Sequence, residues 1–260
     1  MKTVILCGGL GTRIRDVSDN LPKPMIPISG YPILWHIMKF YASFNYNNFI
    51  LCLGYKSETI KDYFLNYEKT ISNISIDFSK KIDNVKYELP IEPIDWKITL
   101  VETGLNSMTG SRISKIKNYI GSDPYFFLTY GDGLCDVDVD DLLKFHKSHG
   151  RILTLTGVRP PARFGELNST IEGIVTEFNE KPQALSGRIS GGFFVCSNDI
   201  FNYLNDTNEL VFEDAPIKNL VKENQLMVYE HNGFWQCMDT YRDWQLLNNL
   251  SENSKAPWKK

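Results

Sequence analysis

The residues best suited to chemistry come early. Cys7-Gly8-Gly9-Leu10-Gly11-Thr12-Arg13 follows the apolar run Val4-Ile5-Leu6, and Lys23 stands ten residues beyond Arg13, between Pro22 and Pro24. Glycines let backbone N–H groups approach an anion with no side chain in the way. A guanidinium and an ammonium beside such a turn, the ammonium's backbone fixed by prolines, favour a polyphosphate over a purely structural turn. The loop is not the Walker pattern, which needs Gly-Lys-Ser/Thr. Nor does it complete the dinucleotide fingerprint, because Ile14 stands where the third glycine belongs. A nicotinamide dehydrogenase would also need an acid roughly 20 residues after the loop, where this chain has Lys23 and prolines.

Two acids are candidate partners for the cations. Asp132 lies between Gly131 and Gly133 after an apolar run, and Asp239 follows GFWQCM. Each alone reads as a turn aspartate or a helix cap. Together, near a phosphate loop, they suit Mg²⁺, which takes a few carboxylate oxygens plus substrate phosphates and water. Asp136, Asp138, Asp140 and Asp141 read instead as the start of a helix, complementing its dipole. Lys181, in Glu180-Lys181-Pro182, could hold a second phosphate, but an exposed turn is the simpler reading. Residues 107–112, SMTGSR, could meet a base edge or cap a helix through Ser111. His36, His146, His149 and His231 show no triad or metal spacing. None is assigned to catalysis; His36 reads as a packing residue, and His146 and His149 as part of a surface-type helix.

These groups need elements to position them. Residues 3–7, 49–53, 125–130 and 152–156 read as buried strands. Pro32 suits the first turn of a helix running to about residue 44. Ser57 suits the cap of a second, with Ile60, Tyr63, Phe64 and Tyr67 inward. Further helices are expected over 111–120 and 138–149, and short strands and a loop over 71–101. Alternating strands and helices predict an α/β fold with a mostly parallel, Rossmann-like sheet flanked by helices. Ligands of such sheets sit at the carboxyl ends of strands. The glycine loop and Gly131-Asp132-Gly133 should therefore meet at one rim. The second half reads as a lobe on the same sheet, carrying a second substrate.

Composition sets outer bounds. The chain has 260 residues, 42% hydrophobic and 23% charged, with a net charge of −3. That suits a single domain and offers no basic field for nucleic acid or an acidic membrane. No apolar run approaches the ~20 residues of a membrane helix. Cys7, Cys52, Cys135, Cys196 and Cys237 are odd in number and far apart, which suits buried thiols in a reducing compartment. The expectation is a soluble, cytoplasmic protein.

Taken together, the motifs resemble the sugar-phosphate nucleotidyltransferases. The resemblance rests on the Gly8–Arg13 loop, Pro22-Lys23-Pro24, Tyr130–Gly133, Glu180-Lys181-Pro182 and Gly191–Val195. PILWHIMKFY (32–41), SMTGSR (107–112), RFGEL (163–167), GFWQCMDT (233–240) and KAPWK (255–259) are similar to the family's cytidylyl branch. The likeness runs from residue 1 to 259. It implies the nucleotidyltransferase fold in one domain, with about 1–150 binding nucleotide and about 151–260 binding sugar phosphate. It implies CTP and a sugar 1-phosphate as substrates, glucose 1-phosphate foremost, with Mg²⁺ as cofactor. The product it implies is CDP-glucose, which the family makes for deoxysugars of bacterial surface polysaccharides. A homo-oligomer is implied as well.

Roles then follow by position. The resemblance puts Leu6, Gly8, Gly9, Leu10, Gly11, Thr12, Arg13, Lys23, Ser107, Arg112 and Gly131 on the nucleotide. Asp132 and Asp239 become metal ligands. Lys181, Glu180, Gly165 and Ser190 fall on the sugar phosphate. Arg13, Lys23, Asp132 and Lys181 carry catalysis. On the sugar side Ser190, Ala215 and Glu166 depart from the family's pattern, which points acceptor choice to them. A non-catalytic sensor on the same fold is the other reading; it would have lost Lys23 or a metal aspartate, and all three are present.

Overall fold

The computed structural model describes residues 1–11, 14, 20–82, 84–88, 94–160, 166–179 and 187–259. Its strands are β1 (Lys2–Leu6), β2 (Asn48–Leu53), β3 (Lys97–Glu102), β4 (Tyr125–Tyr130), β5 (Gly133–Cys135), β6 (Leu153–Val158), β7 (Ile189–Ser197), β8 (Leu226–His231) and β9 (Trp235–Cys237). Residues 27–28 pair with 31–32, 73–76 with 85–88, and 166–169 with 175–179, each as a separate two-stranded sheet. A seven-stranded sheet runs in the order β8-β6-β7-β4-β1-β2-β3. β7 is antiparallel to both its neighbours, and the other pairings are parallel. The mostly parallel α/β expectation holds, and the second half of the chain extends the same sheet through β6, β7 and β8.

Both faces are covered, so the central strands read as continuous apolar runs. Along β1 and β2 the side chains alternate. Ile5, Phe49 and Leu51 enter one core, with the helices α1 (Ile33–Ala42), α2 (Ser57–Leu65), α4 (Val139–His149) and α6 (Tyr241–Glu252). Val4, Leu6, Ile50 and Cys52 enter the other, with α3 (Thr109–Lys115) and α5 (Ala215–Lys222). No helix among the described residues is long and apolar enough to cross a membrane. All five cysteines are free thiols, four of them buried.

Several local expectations are corrected. Pro32 is the N-cap of α1 and not part of its first turn, and the helix ends at Ala42. Ser57 is the first residue of α2, not its cap; the cap is Lys56, held left-handed at φ 50°. Tyr67 opens a separate short helix. The 111–120 helix is two pieces broken at Ile116, and Ser111 lies buried inside α3 instead of capping it. Asp138 does cap α4, accepting the N–H groups of Asp140 and Asp141 at 3.0 Å each. Asp136 is not part of that helix start. Its Oδ1 accepts Phe234 N at 2.7 Å and pairs with His231 Nε2 at 2.8 Å. His146 is fully buried against β6, with Nδ1 2.8 Å from Thr154 Oγ1, so α4 is a core-facing helix at that position.

Candidate active site

Glycine follows the carboxyl ends of four neighbouring parallel strands: Gly8 after β1, Gly54 after β2, Gly104 after β3 and Gly131 after β4. There the backbone can come close to a ligand or to a neighbouring loop. Outside these strand ends lies a cavity of about 710 Å³. It is lined by Leu6, Cys7, Gly8, Gly9, Leu10 and Gly11, by Lys23, and by the turn carrying Ser107 and Arg112. Gly131, Asp132, Ser190, Gly191, Trp235, Cys237 and Asp239 complete it. The predicted site residues Leu6, Gly8, Gly9, Leu10, Gly11, Lys23, Ser107, Arg112, Gly131, Asp132, Ser190 and Asp239 therefore share one cavity. Thr12, Arg13, Gly165, Glu180 and Lys181 lie outside the described residues.

A three-residue ribbon sets the two acids. β5 pairs with β9 antiparallel, with Gly133 opposite Cys237. Asp132 precedes β5 and Asp239 closely follows β9, and Met238 N donates to Asp132 O at 2.8 Å. Both carboxylates turn to Lys23, which opens a short 3₁₀ turn between its prolines. Lys23 Nζ is 2.6 Å from Asp132 Oδ2 and 2.5 Å from Asp239 Oδ1. Burial, the largest single influence, would lower the lysine's pKa, but the two carboxylates outweigh it and raise it. Gly11 packs the loop onto this lysine. Its φ is +60°, and a Cβ there would lie 3.1 Å from Lys23 Cβ.

These donors fit a hard divalent cation. Two half-buried carboxylates converge on one positive centre, now the ammonium, at the edge of a cavity with room for phosphate oxygens and water. Mg²⁺ prefers that mixture. Cys237 does not make the site thiolate-based. Its thiol lies 3.7 Å from Asp239 Oδ2, and its pKa is pushed up to about 12, by burial first and then by Asp239 and Asp132.

Arg112 is a strut behind the glycine loop. It is 4% exposed. Nη1 donates to Leu53 O at 2.9 Å, Thr103 Oγ1 at 2.7 Å and Gly104 O at 2.8 Å. Nη2 donates to Gly8 O at 2.9 Å and Leu105 O at 3.3 Å. The guanidinium thus ties three strand-end loops together and leaves its positive charge beside the cavity, on carbonyl and hydroxyl oxygens. A Cβ on Gly8 would sit 2.2 Å from Nη1, and one on Gly54 2.5 Å from it. Both glycines are therefore dictated by the arginine.

Gly54 and Gly104 were not singled out from sequence, and three further hydrogen bonds brace the cavity wall. Tyr130 donates its hydroxyl to the Glu213 carboxylate, which also accepts Thr109 Oγ1 at 2.7 Å. Trp235 Nε1 donates to Gly191 O at 2.7 Å, fixing the indole beside Ser190. The available signal for Gly54 and Gly104 was the strand–glycine junction repeated after β2 and β3.

The chain matches the family model described as nucleotidyl transferase over residues 2–245. It is 44% identical over 259 residues to the glucose-1-phosphate cytidylyltransferase of Salmonella typhimurium, covering 100% of this chain and 99% of that relative. The protein of the same name from Salmonella typhi matches to the same extent, 44% over 259 residues. Among solved structures, a UDP-glucose pyrophosphorylase complexed with UDP-glucose superposes with a TM-score of 0.68 at 17% identity, covering 97% of this chain and 98% of that one. That likeness speaks for the fold.

Proposed function

We infer the reaction from the family: this chain belongs to the nucleotidyl transferases. Within it, the chain transfers a cytidylyl group from CTP to α-D-glucose 1-phosphate, giving CDP-glucose and pyrophosphate. The observation that carries this reading is the 44% identity along the whole chain to enzymes named for that reaction. The meeting of Lys23, Asp132 and Asp239 at the glycine-lined rim supports it.

The nucleophile is a phosphate oxygen of the sugar phosphate, already ionised, so no general base is needed. It attacks the α-phosphorus of CTP in line. A new P–O bond forms, the bond from the α-phosphorus to the bridging oxygen breaks, and its electron pair leaves on pyrophosphate. Both reactants are polyanions, so catalysis is chiefly positioning and charge stabilisation. The bare backbone from Gly8 to Gly11 admits the phosphates, and Lys23 stabilises charge building on the leaving group. Arg112 holds the loop in place by its grip on Gly8 O. Asp132 and Asp239 would hold Mg²⁺, which when bound supplies charge neutralisation and Lewis acidity. With a metal on those carboxylates, the Lys23 ammonium would be released from its two ion pairs to meet phosphate. From the sequence alone, Arg13 and Thr12 join the nucleotide side, and Lys181, Glu180 and Gly165 the sugar phosphate. Ser190 lines the same cavity as Trp235, which suits the sugar. The division of labour is nucleotide to about residues 1–150 and sugar phosphate to about 151–260. A homo-oligomer is expected, and light scattering checks its mass.

The test is pyrophosphate release with Mg²⁺, across the four nucleoside triphosphates and a panel of sugar 1-phosphates. Release with CTP and glucose 1-phosphate is expected. Release with CTP and only another acceptor would move the specificity to Ser190, Ala215 and Glu166. No release with any pair would overturn the reading.

A further inference from the structure

The backbone N–H of Asp239 is held by a second carboxylate that does not line the cavity. Asp243 is the third residue of α6, and Thr240 is the N-cap of that helix. A capping box asks one thing of such an acid: that it accept the N-cap N–H. Asp243 Oδ2 does so, at 2.8 Å from Thr240 N, and accepts Thr240 Oγ1 at 2.9 Å. The same oxygen also accepts the N–H of Asp239, at 3.1 Å. The other oxygen, Oδ1, accepts Gln236 Nε2 at 2.9 Å, and that amide nitrogen lies 2.8 Å from Cys237 O. Asp243 therefore holds the Gln236 side chain from the middle of β9 and the Asp239 backbone just past its end. The Gln236 amide carries the grip on to Cys237 O.

The helix behind this grip is itself docked beside Lys23. Trp244 Nε1 donates to Pro27 O at 2.9 Å, and Ser29 N donates to Asn248 Oδ1 at 2.9 Å. Pro27 and Ser29 closely follow the turn that carries Lys23. One end of α6 thus holds Asp239 while its side holds the segment leading from Lys23. The backbone that carries Lys23 and the backbone that carries Asp239 are thus both tied to one helix.

We propose that Asp243 is a positioning residue for the metal-binding carboxylate of Asp239, setting its backbone so that it converges with Asp132 on one cation. The proposal rests on the reading above, that Asp132 and Asp239 hold a divalent metal. A carboxylate ligand needs a fixed orientation, and the groups that fix it typically carry about a 10- to 100-fold effect on metal affinity.

The experiment separates this role from the helix cap. Thr240→Ala removes the capping hydroxyl but leaves the bond from Asp239 N to Asp243; Asp243→Ala removes both. Mn²⁺ is titrated calorimetrically into each protein with CTP present and no acceptor, and melting temperatures are recorded. Both variants should melt lower. Asp243→Ala should raise the Mn²⁺ Kd about tenfold or more, while Thr240→Ala stays within about twofold of the wild type. In pyrophosphate release, Asp243→Ala should need more metal for half-maximal rate and recover most of kcat when metal saturates. Equal Mn²⁺ affinities in the two variants, or an unchanged Kd in Asp243→Ala, would reduce Asp243 to a cap and overturn the proposal. A wild-type chain that takes up no Mn²⁺ would overturn the metal reading and this role with it.

Discussion

Lys23 Nζ stands 2.5 Å from Asp239 Oδ1, although 216 residues of chain separate the two. A prolyl turn and a strand end from opposite ends of the sequence thus meet at the rim of one sheet. Lys23 also bridges to Asp132, so the ammonium neutralises two carboxylates that would otherwise repel each other.

Lys23→Ala should therefore have two separate effects. Pyrophosphate release should fall about 10²- to 10³-fold, the usual cost of removing one charge-stabilising donor. In the absence of metal the variant should also melt lower, because the two carboxylates lose their counter-charge. Mg²⁺ should then raise its melting temperature more than it raises the wild type's, since no ammonium competes for the site. A variant with near-normal turnover would remove Lys23 from the chemistry.

Asp132→Asn keeps the size of the side chain and removes its charge. The ribbon pairing through Asp132 O does not depend on that charge, so the fold should survive. The Mg²⁺ concentration for half-maximal pyrophosphate release should rise at least about tenfold. An unchanged metal dependence, measured with CTP and acceptor saturating, would mean that Asp132 is a turn residue and nothing more.

Neighbouring glycines should behave differently. A Cβ on Gly8 collides with the Arg112 guanidinium, whereas a Cβ on Gly9 meets nothing within 4 Å. Gly8→Ala should cost about 1–3 kcal/mol of stability, as overpacking does, and loosen the loop from its strut. Gly9→Ala should change stability by less than about 0.5 kcal/mol. If the Gly9 backbone meets phosphate, that variant should still lose CTP affinity. Urea unfolding and CTP titration of both proteins separate packing from binding.

Particular residues show what the sequence could and could not say. The loop, Lys23 and Asp132 are legible because strand, glycine and proline signals are local. Asp239 is legible only beside the others, since an aspartate ahead of a helix usually reads as a cap. The structure shows why Asp239 does not cap here, because Thr240 and Asp243 cap α6 between them. Lys56 as a left-handed cap has no signal, because nothing in its side chain marks a positive φ. Ser111 looks like a cap but is not one. The helix α3 begins earlier, and the N–H of Ser111 goes to Leu210 O, a partner about a hundred residues away. His146 follows Leu142 and Leu143 at helical spacing, so its burial is legible in the stripe although its polar ring argues otherwise.

The buried histidines make the last prediction, an acid-limb one. His36 donates Nε2–H to Ile28 O at 2.9 Å, and burial lowers its pKa to about 4 against that bond's opposite pull. His146 is lowered to about 4 as well, by burial and then by neighbouring His149, and its Nε2 has no partner among the described residues. Both are neutral in the folded chain at pH 7. The unfolded chain takes up their protons near pH 6.5, so below that pH it binds more protons than the folded one. Stability is then fully present above about pH 6.5 and is lost as pH falls toward 4. The loss should reach about 2 kcal/mol per histidine at pH 5. Urea unfolding at pH 7 and pH 5 measures it, and a His36→Gln, His146→Gln double variant should show a much smaller difference between the two. If the double variant loses as much stability between pH 7 and 5 as the wild type, these rings are not what limits the fold in acid.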